Sequence, residues 1–128
     1  MGRFRNEGRM NITTVLIPYP PSANRLWRTN RRGKMHKTDA YTNWAIEAGW
    51  ALKQQKYSKF TTPVSVELQV GPPDRRKRDL DNVQKATFDL LEHLGVIEND
   101  NLIHRIHAYW DREVKNGILV TVSEMAAQ

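Results

Sequence analysis

Two aspartates and a lysine stand in the middle of the chain at spacings that suit a metal ion and a phosphate. Asp79 and Asp81 are separated by one residue, and Lys85 lies one helical turn beyond Asp81. Carboxylates are the oxygen ligands that Mg²⁺ prefers, and side chains at i and i+2 of extended backbone point the same way. Both aspartates could therefore reach one ion, and Lys85 could offset negative charge that builds up on a reacting phosphate.

Ordinary helix chemistry is the alternative to a metal site. Asp81 could be the N-cap of a following helix, with Gln84 three residues on in a capping-box arrangement. Lys85 could pair with Asp81 or Asp89 at i, i+4 spacing, which stabilises a helix by only tenths of a kcal/mol. The acidic pair alone does not decide between the two interpretations.

A third carboxylate would complete a metal site, and the acidic loop after the helix offers two candidates. These are Asp100 and Glu98, which the pattern alone does not separate. The histidines are a weaker metal signal, because His104 and His107 are three residues apart in a predicted strand and must face opposite sides. We expect the histidines to be structural or solvent-facing.

Positive charge surrounds the two aspartates and dominates the N-terminal part of the chain. Four consecutive bases run directly into Asp79, and residues 1–37 hold nine bases against one acid, Glu7. A basic arm of this kind indicates an anionic polymer, most commonly nucleic acid, although a merely soluble basic surface is the alternative. In the same basic loop, Trp27 could stack on an unpaired base or anchor the core. The candidate phosphate-binding residues are Arg25, Arg28, Arg31, Arg32, Lys34, Arg75, Arg76, Lys77 and Arg78.

The bulk composition is that of one globular domain. The 128 residues are 39% hydrophobic and 27% charged, with a net charge of +6. With no cysteine, disulfides, a thiol nucleophile and cysteine-ligated metals are excluded. The absence of a bilayer-length apolar run or a signal-peptide stretch predicts a cytoplasmic protein with no membrane partner. We expect residues 1–10 to be a flexible extension and residues 11–124 to be a single domain.

Hydrophobic periodicity predicts the element order β-α-β-α-β-β and a two-layer α+β domain. A mixed sheet should be covered on one face by two helices, and the other face or the helix layer would then need a partner. The four tryptophans are consistent with a homodimer, although core packing explains them equally well. The last two strands should form a hairpin across Asn116-Gly117. The predicted strands are Ile12 to Ile17, Val64 to Val70, Ile103 to about Val114 and Ile118 to Ser123; the predicted helices run from a Thr38 cap to about Gln55 and from near Asp81 to a stop at Gly95.

In these residues the chain resembles the RusA family of Holliday junction resolvases, which are prophage-associated endonucleases. The resemblance extends from about residue 11 to residue 124. The segment PPSANR, Pro20 to Arg25, is similar to an early element of the family, and PDRRKRDLDNVQKATFDLL, Pro73 to Leu91, is similar to its central motif. The chain departs from the family at Asn99, where a second acid often precedes the third aspartate.

The resemblance implies a dimeric, Mg²⁺-dependent endonuclease of DNA recombination and repair that nicks two opposed strands of a four-way DNA junction. By position in the motif, Asp79 and Asp81 look like the family's paired catalytic aspartates and Lys85 like its essential lysine. Asp100 looks like the third aspartate, which ranks it above Glu98. The expected site is therefore Mg²⁺ held by three aspartates, with a lysine beside it.

Two other functions stay open on the sequence alone. The protein could be a non-catalytic basic DNA-binding module whose acids merely cap a helix. It could also be a nuclease for other branched DNA, such as forks or flaps. A nicking assay with and without Mg²⁺ separates all three hypotheses.

Overall fold

The structure, a computed structural model, describes residues 11–21 and 39–125 with their side chains, and Trp27–Thr29 and Met35–Lys37 as backbone. The predicted extension, residues 1–10, and the predicted cap Thr38 lie outside the described residues. No helix of the described residues is long and apolar enough to cross a bilayer. The elements in chain order are β1 (Ile12–Ile17), β2 (Trp27–Thr29), β3 (Met35–Lys37), α1 (Asp39–Lys53), β4 (Val64–Val70), α2 (Leu80–His93), a 3₁₀ turn (Asp100–Leu102), β5 (Ile103–Trp110) and β6 (Ile118–Glu124).

A mixed four-stranded sheet forms the centre of the molecule, in the order β1-β6-β4-β5. β6 pairs antiparallel with both β1 and β4, whereas β5 pairs parallel with β4. The mixed sheet and the two helices confirm the predicted α+β class. The basic loop after β1, which was predicted without clear periodicity, contains the small antiparallel pair of β2 and β3.

The predicted hairpin between the last two strands is wrong, because β4 lies between β5 and β6. Val70, the last residue of β4, pairs with Trp110 on one side and with Ile118 on the other. β5 ends at Trp110 rather than near Val114, and residues 111–117 then cross the end of β4. The Asn116-Gly117 pair ends this crossing where the chain passes close to the end of β1. Glycine is required there, because a Cβ on Gly117 would lie 2.2 Å from the carbonyl oxygen of Ile17.

The hydrophobic core lies between one face of the sheet and the two helices. Alternate residues of β1, β4 and β6 point into it, and their neighbours on the opposite face stay partly or fully exposed. Burial of each large apolar side chain stabilises the fold by about 1.5–3 kcal/mol. The helices contribute Tyr41, Trp44, Ala48 and Leu52 from α1, and Val83, Ala86, Thr87, Leu90 and Leu91 from α2.

α2 begins at Leu80, one residue before the predicted start near Asp81, and its N-cap lies two residues before the predicted cap, Asp81. Asp79, in extended backbone (φ −107°, ψ 121°), is the N-cap, and its carboxylate accepts the N–H of Asp81 at 3.0 Å. Asp81 therefore lies in the first turn, and Gln84 donates to its side chain at 3.4 Å instead of closing a capping box. At the other end, Gly95 takes a left-handed φ of 79°, which confirms the predicted stop. α1 ends at Lys53, two residues before the predicted Gln55.

Candidate active site

Two exposed acids, Asp79 and Asp81, stand at the N-terminus of α2, where the Asp79 carboxylate accepts the backbone N–H of Asp81. We call them the carboxylate pair. Asp79 also lines a small hollow of about 70 Å³ together with Pro20, Pro21 and Asn82. The segment after β1 thus packs against the first turn of α2. A helix N-terminus favours negative charge, which makes this a stable place for two acids.

The donor chemistry of the carboxylate pair fits Mg²⁺. Asp79 uses Oδ1 to cap the helix, and Asp81 uses Oδ1 to accept from Gln84. A carboxylate has two oxygens with about four lone pairs, so each acid keeps an oxygen for a cation. Mg²⁺ is commonly held by one or two carboxylates, with waters and substrate phosphate completing its shell. Capping and metal binding are therefore compatible at this position.

Lys85 lies on the exposed surface of α2, one turn beyond Asp81. Its Nζ is 3.7 Å from Oδ2 of Asp89, and 64% of its side chain is exposed. A pair of this length and exposure contributes well under 1 kcal/mol and holds the ammonium group loosely. Lys85 is thus free in energetic terms to exchange Asp89 for a phosphate.

Asp100 lies near the start of β4, whereas the carboxylate pair follows the end of that strand. It begins the 3₁₀ turn that leads into Ile103, and Ile103 pairs with Val64, the first residue of β4. The chain reaches Asp79 only after leaving Val70, at the other end of that strand. Val64 and Val70, the two ends of β4, are six residue steps of about 3.3 Å apart, or roughly 20 Å.

The other candidate acid, Glu98, lies at the same end of β4 as Asp100. Its backbone N–H donates to the carbonyl of Phe60 at 3.0 Å, and Phe60 donates in turn to Val96 at 2.8 Å. Among the described residues, no group of three or more His, Cys, Asp or Glu side chains is arranged to hold a metal ion. One chain therefore brings Asp79 and Asp81 together, but not Asp100 with them.

The four consecutive bases before Asp79 line a groove of about 440 Å³. Arg78 lines both this groove and the small hollow of Asp79, so the cations and the carboxylate pair are direct neighbours. We call it the basic groove; its lining residues are Pro72, Asp74, Arg75, Arg76, Lys77, Arg78, Trp110 and Arg112.

Two of the predicted phosphate-binding bases already have an acidic partner, Asp74. Arg78 donates to it at 2.6 Å and Arg76 at 3.3 Å. The hydrogen bond from Arg78 holds the pKa of the Asp74 carboxyl well below its usual range, and the same bond raises the pKa of Arg78. Within the part of the chain that the structure describes, Arg75 and Lys77 make no ion pair. Of the four consecutive bases, these two are the ones most available to a polyanion.

The remaining predicted phosphate-binding residues belong to the basic loop after β1. The structure gives only the backbone of Arg28 and of Trp27, the predicted stacking residue, both in β2. The others lie outside the described residues: Arg25, Arg31, Arg32 and Lys34.

Both histidines of β5 are exposed. His107 pairs with Glu67, whereas His104 lies at a register shift between β4 and β5, so the alternation assumed for a spacing of three is interrupted there. The ring of His107 lies 4.8 Å from that of Tyr109, on the face away from the helices. The hydroxyl of Tyr109 donates to Glu67 at 2.7 Å, and this bond raises the tyrosine pKa to about 12. These residues form a polar patch on the sheet.

Three residues of the basic groove escaped the sequence interpretation. Asp74 stands four residues before Arg78, a spacing that could have indicated an ion pair. Trp110 and Arg112 come from the end of β5, more than thirty residues further along the chain. No local pattern links them to the central motif, because only the parallel pairing of β4 and β5 brings them there.

Comparison with known proteins connects this geometry to a family. The family model described as Endodeoxyribonuclease RusA matches residues 18–123, which include the carboxylate pair and the whole basic groove. The chain is 38% identical over 104 residues to the crossover junction endodeoxyribonuclease RusA of Aquifex aeolicus (strain VF5), covering 80% of this chain and 82% of that protein. It is 33% identical over 118 residues to the protein of the same name from Escherichia coli (strain K12), covering 91% and 98%. The relative from Shigella sonnei (strain Ss046) is 34% identical over the same length. The resemblance seen in the motifs is thereby confirmed, and the chain belongs to the RusA family of endodeoxyribonucleases.

Proposed function

We propose that this protein is a structure-selective endodeoxyribonuclease that resolves four-way DNA junctions by Mg²⁺-dependent paired nicking, in DNA recombination and repair. One observation carries the proposal: the carboxylate pair and the basic groove share a wall at Arg78, in a chain of the RusA family. Carboxylates suit a metal, cations suit a polyanion, and their contact brings the two to one phosphodiester. The names of the relatives, crossover junction endodeoxyribonucleases, support the choice of substrate.

Asp79 and Asp81 would hold Mg²⁺ through the oxygens that the helix cap leaves available. Bound there, the ion supplies Lewis-acid stabilisation of the phosphoryl oxygens and a lower pKa for an attacking water. The N-terminal end of α2 orients the pair, since the Asp79 side chain is fixed by its bond to the N–H of Asp81.

The cations divide the remaining work between grip and charge compensation. Arg75 and Lys77, exposed and without an ion pair among the described residues, bind flanking phosphates and orient the strand without selecting its sequence. Lys85 exchanges its loose contact with Asp89 for the reacting phosphate and offsets the negative charge that develops there.

Asp100 enters this proposal through a second copy of the chain. The strand register supports a separation of about 20 Å between the two ends of β4, which is too far for Asp100 to share an ion with its own chain's carboxylate pair. In a homodimer, Asp100 of one copy can face the carboxylate pair of the other. A two-fold axis repeats that contact and yields two equivalent sites, as symmetric nicking of opposed strands requires.

The decisive experiment incubates the protein with a synthetic four-way junction, with Mg²⁺ and with EDTA. We expect paired nicks at symmetric positions with Mg²⁺ only, and tight junction binding under both conditions. A linear duplex, a fork and a flap of the same sequences serve as controls. Binding without nicking in Mg²⁺ would leave only a DNA-binding module, and equal cleavage of forks or flaps would overturn the preference for four-way junctions.

The salt response checks the electrostatic part of the same proposal. Each phosphate neutralised on B-DNA steepens the fall of log affinity with log salt by about 0.9. Junction affinity should therefore fall steeply between low and moderate salt. A flat response would remove the basic groove from the DNA interface.

A further inference from the structure

Trp110 is a large aromatic side chain left partly open at the edge of the sheet. It is the last residue of β5, and 37% of its surface is exposed. It pairs with Val70, so it lies on the helix-covered face, beside the loop that leads from β4 to α2. Among the described strands β5 is at the edge of the sheet, so no further strand lies beyond it. The indole is therefore accessible to a ligand.

This indole forms one wall of a strongly cationic surface. The basic groove contains five bases and a single acid, Asp74, which is already held by Arg76 and Arg78. A second hollow of about 370 Å³ shares Arg75 and Arg112 with it and continues to Lys115 and Asn116. The two hollows form one track lined with cations, and Trp110 is the aromatic residue on it.

The dimensions of the track suit a single strand of DNA. Each hollow falls in the range of about 300–1,000 Å³ that small organic ligands occupy, which accommodates a nucleotide. Inside a duplex, both faces of every base are covered by neighbouring bases, so an indole finds a base face only where stacking is interrupted. Aromatic side chains interleaved with cations are the usual means of holding such a strand.

We propose that Trp110 and Arg112 complete a binding site for an unstacked nucleotide of DNA. The base stacks on the indole of Trp110, and the neighbouring phosphates bind Arg112 and Arg75. The inference rests on the proposed function for its natural source, which is the strand at the exchange point of a junction. The site itself requires only single-stranded DNA and is testable without cleavage.

The test measures binding of fluorescent oligothymidylate in EDTA, where no nicking occurs. Trp110→Leu keeps an apolar side chain against the sheet but removes the aromatic face, and we expect about a tenfold loss of affinity. Trp110→Phe keeps a ring and should lose less. The matched control is Trp50→Leu on the outer face of α1, where 65% of the indole is exposed; its affinity should equal that of the unmodified protein. Equal affinity for Trp110→Leu and the unmodified protein, or an equal loss for Trp50→Leu, overturns the proposal.

The salt dependence separates the stacking residue from the phosphate-binding residue. Arg112→Gln should weaken oligothymidylate binding and lower the slope of log affinity against log salt by about 0.7, the value for one phosphate of a single strand. Trp110→Leu should weaken binding with the slope unchanged. A changed slope for Trp110→Leu would mean that the variant displaces the cations, and it would overturn the assignment of stacking.

A four-way junction with 2-aminopurine at its exchange point connects the site to the junction. Binding by the unmodified protein should change the fluorescence of the unstacked base, and Trp110→Leu should reduce that change. The unmodified protein could nick junctions while Trp110→Leu matches it in oligothymidylate affinity and in the 2-aminopurine fluorescence change. In that case this inference fails and the proposed function stands. If the unmodified protein fails to nick junctions but its oligothymidylate binding depends on Trp110, the proposed function fails and the nucleotide site stands.

Discussion

In the proposed site, Asp79 would combine two roles that usually belong to different residues. Its carboxylate caps α2 through Oδ1, and its other oxygen remains for a cation beside Asp81. The cap fixes the side chain before any metal arrives, so little conformational freedom is lost on binding. In the proposed site, stability and catalysis would therefore depend on different properties of this side chain: stability on its acceptance of a hydrogen bond, catalysis on its negative charge.

Asp79→Asn separates these two properties. Asparagine caps helices about as well as aspartate, so the variant should fold with a smaller loss than the roughly 1 kcal/mol expected for Asp79→Ala. Both variants should fail to nick a junction with Mg²⁺ while still binding it. A nicking gel and chemical denaturation measure the two effects, and normal cleavage by Asp79→Asn would show that the carboxylate pair holds no essential metal.

Lys85→Ala tests whether the lysine acts on phosphate or only on Asp89. Alanine favours the helix, and the lost contact is an exposed pair 3.7 Å long, so the melting temperature should hardly change. Loss of a charge that stabilises the transition state should lower the single-turnover nicking rate about 100-fold. The matched control is Asp89→Asn, which breaks the same pair from its other end and should nick at the normal rate. Equal rates for both variants would make Lys85 a surface residue.

The helices and strands show which kind of information a sequence carries locally. β1 and β4 were predicted with their observed bounds. The β-branched run of β1 is stopped by Pro18, and the strict alternation of VSVELQV in β4 is bounded by proline and glycine. The false hairpin of β5 and β6 came from the same local logic applied to an Asn-Gly pair. Strand partners are set by long-range packing instead. β4 is central in the sheet and pairs with β6 on one side and β5 on the other, and α2 supplies the crossover from β4 to its parallel partner β5.

Two glycines of similar burial should respond to alanine in opposite directions. Gly117 has no room for a Cβ, which would lie 2.2 Å from the Ile17 carbonyl, so Gly117→Ala should lose about 1–3 kcal/mol. Gly49 lies inside α1, where a Cβ would meet only Leu94 at 3.8 Å; Gly49→Ala should gain about 1 kcal/mol from helix propensity. Urea denaturation compares the two. A stable Gly117→Ala would contradict the close approach of Gly117 to the end of β1.

The candidate site as a whole was predictable in composition but not in arrangement. Asp79, Asp81 and the run of four bases are contiguous in sequence, so their types and spacing indicated metal and phosphate chemistry. The positions of Asp100 and Trp110 depend on the β4–β5 register, which places one at each end of β5. Family resemblance suggested Asp100 as a third acid, but the sequence could not reveal that Asp100 lies beyond the other end of β4 from Asp79 and Asp81.

Subunit mixing tests whether Asp100 serves the partner's site. Asp79→Asn and Asp100→Asn should each be inactive alone. In a hybrid dimer of the two, a site built from both chains carries either both substitutions or neither, so one intact site returns and single nicks appear in a supercoiled cruciform plasmid. The control mixes Asp79→Asn with Asp81→Asn; these residues come from the same chain segment, each site keeps one substitution, and activity should stay absent. An inactive hybrid of Asp79→Asn with Asp100→Asn would exclude a shared site, and activity of Asp100→Asn alone would remove Asp100 from catalysis.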